Sequence, residues 1–347
     1  MAEPDGPACY RKFVSILRQD PTTNEWVILA PHRALRPRDE GPERREPLPP
    51  FDADCPFCLG NEERTPPEIL RIPPTGPWSI RVFPNLYPAL EPEGSTERRG
   101  EPGFREMAGV GRHEVVVESP RHDERLDEMS VEALIPVVAT WRDRYRTLRE
   151  DPAVREVIVF KNFGEMAGTS LVHPHSQILA TPVFPPDSLR RYDVANRYFD
   201  DTGRCVYADL LNGERLAGVR MVAENDEFLA VAPFAARTPF ETWIAPTAHE
   251  SGFERLDDGR VPGFAAMLRD VLGALRRAAG DPDYNLVLYS APAHEAAKPF
   301  FQWHFRLLPR VSTMAGFELA TGMAINTLAP EDAAATLRAA VAGAALD

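Results

Sequence analysis

The sequence predicts an α+β protein, an antiparallel sheet with helices packed on it, built as two tandem halves. Three observations carry this reading. Apolar runs are short and bounded by turn residues, and the chain has 35 prolines, which suits short strands and loops rather than a helix bundle. Two longer stretches, Ser130 to Arg149 and about Val261 to Ala279, space their apolar residues by three and four, as amphipathic helices do. The order strand, proline-to-histidine turn, helix, strand, alternating polar strand occurs twice. The paired histidines lie 53 residues apart in one copy (His122 to His175) and 55 in the other (His249 to His304).

Residues 1–10 are expected to be a flexible tail, 11–187 the first half and 188–347 the second. Phe13 to Leu17 and Trp26 to Ala30 read as a hairpin around Asp20-Pro-Thr-Thr-Asn24. His32-Arg33-Ala-Leu-Arg36-Pro37 follows, and two arginines three apart after a strand can grip phosphate or lie in solvent. Residues 38–52 are charged and proline-rich, a surface loop. Arg81 to Leu90 reads as a strand passing into a turn, and His113 to Glu118 as a strand closed by Ser119-Pro-Arg-His122. Ser130 is placed to cap the first helix. In the second half Phe240–Ala245, Tyr284–Tyr289 and Gln302 onwards read as strands.

The chemistry concentrates in Asn162-Phe-Gly-Glu-Met-Ala-Gly-Thr-Ser170-Leu-Val-His173-Pro-His175-Ser-Gln177. It follows a β-branched run, Val157 to Phe160, through a glycine-containing loop. Side chains two apart in a strand share a face, so His173, His175 and Gln177 are expected to point one way. Pro174 lacks a backbone donor, which marks an edge or a strand start. Two imidazoles and an amide beside a loop rich in backbone N–H groups can hold and attack a phosphate. Cys55-Pro-Phe-Cys58 can present two thiolates to a metal or form a redox pair. The Leu59-Gly-Asn and proline-rich run after it favours metal, and two further ligands must then come from elsewhere. His32, His113, His249 and His294 read as solvated or packed residues, and Cys9 and Cys205 as carrying no chemistry.

Composition narrows the class. At 44% hydrophobic and 26% charged residues the chain is that of a globular protein. A net charge of −13 argues against a general nucleic-acid binder, though not against a local cationic nucleotide pocket. No run is apolar enough to span a membrane, and Met1-Ala-Glu-Pro-Asp-Gly lacks the apolar core of a signal peptide. The expectation is a cytoplasmic protein with no nucleic-acid or membrane partner.

Cys-x-x-Cys, Ser-Pro-x-His and Asn-x-Gly…Ser-x-x-His-Pro-His-x-Gln stand in this order in one chain. With Asp20-Pro, Trp26-Val, Asn85-Leu-Tyr-Pro88 and Ala315-Gly-Phe-Glu318, they make the sequence resemble galactose-1-phosphate uridylyltransferases of the histidine-triad superfamily, and the related plant-type ADP-glucose phosphorylases. The resemblance covers roughly residues 11–335. It implies two histidine-triad-like halves and a ping-pong nucleotidyl transfer, first of all uridylyl transfer from UDP-glucose to galactose 1-phosphate. Alternatives are adenylyl transfer from ADP-glucose to phosphate, and a zinc-stabilised nucleotide-binding protein without catalysis. His175 matches the nucleophile, Gln177 and Ser170 the phosphoryl contacts, and Arg33, Arg36, Asn85 and Asn162 the nucleotide contacts. Glu318 matches the carboxylate that binds sugar hydroxyls. Cys55, Cys58, His122 and His173 match one structural zinc site, and the family implies a homodimer. Tyr289 and Gln302 stand where some members have histidines of a second metal site, with Arg191 near an expected glutamate, so a single zinc is expected. Ser312 and Phe317 replace the lysine and tyrosine that hold the sugar phosphate in galactose-type enzymes.

Overall fold

The computed structural model describes residues 15–35, 45–293 and 298–344. In chain order the strands are β1 (Ile16–Gln19), β2 (Trp26–Leu29), β3 (Leu70–Ile72), β4 (Ile80–Pro84), β5 (Arg112–Val117), β6 (Glu156–Phe163), β7 (His175–Thr181), β8 (Met221–Glu224), β9 (Phe228–Val231), β10 (Thr242–Pro246), β11 (Tyr284–Tyr289), β12 (His304–Pro309) and β13 (Ile325–Asn326). The helices are α1 (Val131–Arg149), α2 (Pro186–Thr202), α3 (Val206–Ala217), α4 (Val261–Ala279), α5 (Gly316–Thr321) and α6 (Pro330–Ala344).

The duplication read from the sequence is a property of the sheet. Ten strands pair in the order β3-β4-β5-β7-β6-β11-β12-β10-β9-β8, every neighbour antiparallel. Read outward from the β6–β11 junction, both sides run in the same sequence of equivalents, so β7 corresponds to β12 and β5 to β10. A separate small sheet, β1-β2-β13, ties the N-terminal hairpin to the C-terminal region.

Helix α1 sets the face on which the chemistry stands. Ser130 caps it, its hydroxyl accepting from the Ala133 N–H at 3.2 Å. Leu134, Val138, Trp141, Tyr145 and Leu148 are buried, as the spacing requires. Trp141 Nε1 donates to Ser176 Oγ at 2.6 Å. Ser176 therefore faces the helix, and the period of two turns its neighbours His175 and Gln177 to the opposite face. Burial of a residue as large as Trp141 is worth about 3–5 kcal/mol, enough to hold that register.

The opposite face is covered differently in the two halves. Over the first half lies a small cluster of Cys55, Phe57, Cys58, Trp78, Phe83, Val115 and Val117. Over the second lie α2 and α3, packed through Ala195 of α2 and Val206, Tyr207 and Leu211 of α3 on Leu229, Val231 and Trp243. These two helices were not foreseen from the sequence, although their ends are marked. Pro186 stands at the start of α2, and Gly203 and Gly218 follow α2 and α3 with φ of 70° each, the left-handed cap that favours glycine. The short strands β8 and β9 and helix α6 were also unforeseen.

Candidate functional site

Two sites meet at the start of β7. The first is a buried group of four potential ligands of two types, Cys55, Cys58, His122 and His173, whose donor atoms all lie within 4.8 Å of one another. The Cys55-Pro-Phe-Cys58 turn closes through Cys58 N–H to Cys55 O, and Asn61 Nδ2 pins the same carbonyl at 2.7 Å. His173 Nδ1 lies 3.7 Å from Cys55 Sγ and 3.6 Å from Cys58 Sγ, and His122 Nδ1 lies 3.5 Å from Cys58 Sγ. The edge between sulfur and nitrogen ligands of a tetrahedral ion is about 3.6 Å when the bonds are about 2.0–2.3 Å, so the group fits a four-coordinate metal. The His173 Nε2–H donates to Ser119 O at 2.8 Å, which leaves the Nδ1 lone pair facing the sulfurs. Burial pushes the His173 imidazole down to about 4 and the Cys55 thiol up to about 11. The Asp52 N–H points at Cys58 Sγ, 3.3 Å away. This group can bind a metal ion.

The second site is a cavity of about 520 Å³ bounded by the Cys-x-x-Cys turn and β7. Its wall includes Phe57, Asn85, Tyr87, Ser170, His175 and Gln177. Phe57, between the two cysteines, packs against both histidine rings, 6.1 Å from His173 and 5.4 Å from His175. The metal turn and the cavity wall are thus one piece. His175 Nδ1 donates to the His173 carbonyl at 2.8 Å. A neutral imidazole carries one N–H, so Nε2 keeps its lone pair. Burial first, and the Lys161 charge second, lower the His175 pKa to about 4, against the opposing pull of the His173 carbonyl. The ring is neutral near pH 7.

Lys161 sits beneath the strand start. Its ammonium donates to Glu118 Oε2 at 2.5 Å and to His175 O at 3.0 Å, and both side chains are buried. The Glu118 N–H donates to Pro174 O at 3.1 Å. Removing one member of a buried pair leaves the other charge uncompensated. Glu118→Ala is expected to lower stability by about 3–5 kcal/mol, read as a shifted urea midpoint at unchanged slope. A loss under about 1 kcal/mol would assign the pair no structural weight.

Of the other residues singled out in the sequence, Ser170, Asn85, His175 and Gln177 line one cavity. Asn162 lies outside it, paired in register with Asn285 and accepting from its Nδ2 at 2.8 Å. Arg33 lies in the short helical turn after β2, and Glu318 in α5. One Glu318 oxygen accepts from Ala315 N–H, and its side chain borders a different cavity beside Ser312, Met314 and Arg310. Neither Arg33 nor Glu318 borders the His175 cavity within this chain. Arg36, His294 and Cys9 lie outside the described residues. His173 precedes β7 rather than lying in it, and β7 is an interior strand flanked by β5 and β6. Pro174 therefore marks the strand start. His113, read as a solvated or packed residue, donates to Gln177 at 2.7 Å. It lies on β5, whose register against β7 the sequence does not reveal.

The second half holds a counterpart without an opening. His304 begins β12 as His175 begins β7, and its Nδ1 likewise donates to the carbonyl two residues back, Gln302 O, at 3.1 Å. Its ring is enclosed by Trp243 at 4.5 Å, Tyr207 at 5.2 Å and Tyr289 at 5.5 Å. Among the described residues of the first half no helices take the place of the α2–α3 cover that closes this half. Arg191 lies over Tyr289 at 4.7 Å, a buried cation beside His304.

The family model for the N-terminal domain of galactose-1-phosphate uridyl transferase matches residues 10–185, and one for a domain of unknown function matches 129–344. The chain is 37% identical to an ADP-glucose phosphorylase of Arabidopsis thaliana, over 93% of this chain and 92% of that one. It is 30% identical to a galactose-1-phosphate uridylyltransferase of Thermotoga maritima, over 93% and 97%. The crystal structure of an Arabidopsis thaliana ADP-glucose phosphorylase with bound ADP-glucose superposes with a TM-score of 0.81 at 34% identity, over 94% of this chain and 99% of that one.

Proposed function

Because the chain belongs to the galactose-1-phosphate uridylyltransferase family of nucleotidyltransferases, we propose that His175 accepts the nucleoside monophosphoryl group of a nucleotide sugar. The observation that carries the proposal is the 2.8 Å bond from His175 Nδ1 to His173 O, which leaves a neutral Nε2 on a ring that lines the same cavity as Gln177. Nε2 attacks the α-phosphorus, the N–P bond forms, and the P–O bond electrons leave with the sugar phosphate. In the second step an oxygen of the acceptor phosphate attacks the same phosphorus and the N–P bond returns its electrons to Nε2. Negative charge builds on the non-bridging oxygens in both steps, where the Gln177 amide and Ser170 hydroxyl act as donors. No general base is needed, because the nucleophile is already neutral.

Two donors have support. Adenylyl transfer from ADP-glucose to phosphate is favoured by the Arabidopsis relative at 37% identity and by its ADP-glucose complex. Ser312 and Phe317, where galactose-type enzymes carry the lysine and tyrosine that hold the sugar phosphate, point the same way. Uridylyl transfer from UDP-glucose to galactose 1-phosphate is supported by the Thermotoga relative at 30%. Turnover of ADP-glucose with inorganic phosphate is expected to exceed that of UDP-glucose with galactose 1-phosphate. The reverse order would assign the chain to the uridylyl reaction.

The titration of His175 sets the pH profile. A pKa lowered to about 4 keeps the lone pair free above that value, and protonation removes it as pH falls through it. The rate of the first half-reaction should be flat between about pH 5 and 8 and fall below, unlike an ordinary histidine with a midpoint near 6.5. A midpoint above about 6 in a pre-steady-state profile would contradict a buried neutral nucleophile.

The metal assigned to Cys55, Cys58, His122 and His173 is zinc, in a scaffolding role. Four protein ligands leave no open position for substrate. A single zinc is proposed, since the guanidinium of Arg191 beside His304 supplies a fixed positive charge in the second half. The division into halves at residues 187 and 188 follows the repeated strand order. We also assign the active form to a homodimer, because Arg33 and Glu318 lie away from the His175 cavity and a second chain can supply them. Nucleotide sugar and sugar phosphate or phosphate are then the partners, in the cytoplasm. Among the described residues no helix is long and apolar enough to cross a membrane.

A further inference from the structure

We propose that His113 is a positioning residue that fixes which end of the Gln177 amide faces the phosphoryl group. The argument rests on the reading of His175 as nucleophile, and it is a count of protons. His113 on β5 is diagonal to Gln177 on β7, since Val115 pairs with Gln177 and His113 with Leu179. Its Nδ1 receives the backbone N–H of Ala89 at 3.1 Å. A backbone N–H is always a donor, so Nδ1 carries the lone pair. A neutral imidazole then has its single proton on Nε2. That Nε2 lies 2.7 Å from the Gln177 side chain, so the partner atom must be the carbonyl oxygen. The NH2 group of Gln177 is thereby turned away from His113, into the cavity that His175 lines.

The direction matters to the chemistry. A free glutamine presents its oxygen or its nitrogen to a phosphate at similar cost to itself, but only the nitrogen stabilises the growing charge on the non-bridging oxygens. His113 removes the unproductive rotamer. It is held in turn by the turn after β4. Asn85 N–H donates to His113 O at 2.7 Å, and Asn85 Oδ1 accepts the Tyr87 N–H at 2.9 Å, closing the loop that carries Ala89. Asn85 Nδ2 lies 3.3 Å from His113 Nε2, and with the proton on Nε2 this is a packing contact. The chain from Ala89 N–H through His113 to Gln177 is a relay of orientation that moves no proton.

The test uses the full-length protein and the rate of nucleotidyl-enzyme formation from the nucleotide sugar, at saturating and limiting donor. His113→Leu, which neither donates nor accepts, is expected to slow the saturated rate about 10–100-fold and to change the half-saturating donor concentration less than about threefold. His113→Gln, which can donate from its amide to the Gln177 oxygen, is expected to recover most of that rate. In a Gln177→Ala background, His113→Leu should cost nothing further, because the two residues act as one unit. Additive losses, equal losses in the Leu and Gln variants, or an effect confined to half-saturation would each overturn the proposal. If the unchanged chain forms no adduct on His175, the nucleophile reading falls and this proposal with it. An adduct that forms equally fast in every His113 variant overturns this proposal alone.

Discussion

His175→Ala is expected to lower turnover by roughly 10⁴–10⁶-fold while leaving the fold in place. The large effect follows from the mechanism. In the proposed mechanism the imidazole does not assist an attack by another group; its Nε2 forms the bond that splits the reaction in two. Nothing left in the cavity replaces a neutral, desolvated nitrogen held by a carbonyl on its far side. The small effect on the fold follows from packing. His175 contributes one ring against Phe57 and one hydrogen bond to His173 O, whereas β7 is anchored by the backbone pairing with β5 and β6 and by Ser176 under Trp141. Steady-state turnover and thermal unfolding of the same preparation check both halves of this expectation. A variant with more than about 1% of the original turnover and a normal melt would move the nucleophile elsewhere, since such a residual is far above that left when a covalent nucleophile is removed.

Cys58→Ser is expected to empty the metal site and destabilise the protein by several kcal/mol. Cys58 Sγ is within 3.6 Å of both histidine ligands, so this position closes two edges of the tetrahedron. Structural zinc sites contribute about 10–16 kcal/mol of apparent binding free energy near neutral pH, against a total stability of about 5–15 kcal/mol for a typical domain. Part of the loss will be local, because the Cys55 turn carries Phe57 and Phe57 packs on His173 and His175. Metal content by elemental analysis should fall from about one zinc per chain to near zero, with a parallel drop in the unfolding midpoint. Undiminished metal in Cys58→Ser would overturn the ligand set.

Local signals were legible in the sequence and long-range ones were not. Helix α4 and strand β11 fall at the residues the sequence indicates, and α1 begins one residue after its Ser130 cap. These depend on neighbours within a few turns. Cys55 and Cys58 were legible from their spacing and His122 and His173 from the family resemblance, and the four lie buried together as a group that can bind a metal ion. The partner of each strand was not legible, because pairing β5 with β7 joins residues about 60 apart and no local pattern encodes it. The sequence therefore reads His113 as a solvated or packed residue. Helices α2 and α3 were missed for another reason. Helix α2 is polar along most of its length, and α3 is short and carries Gly213 in its interior, so neither gives a long apolar period. Arg33 follows β2 and Glu318 precedes β13, and the β2–β13 pairing of Ile28 with Ile325 is a long-range contact that no local pattern encodes.

The measurement that tests the central claim most directly is intact-protein mass spectrometry after mixing with ADP-glucose or UDP-glucose, separately and without acceptor, followed by peptide mapping. The account predicts a stoichiometric nucleoside monophosphoryl adduct on His175, absent in His175→Ala and removed on adding phosphate or a hexose 1-phosphate. Full turnover with no adduct at any time, or an adduct mapped to a residue other than His175, would contradict it.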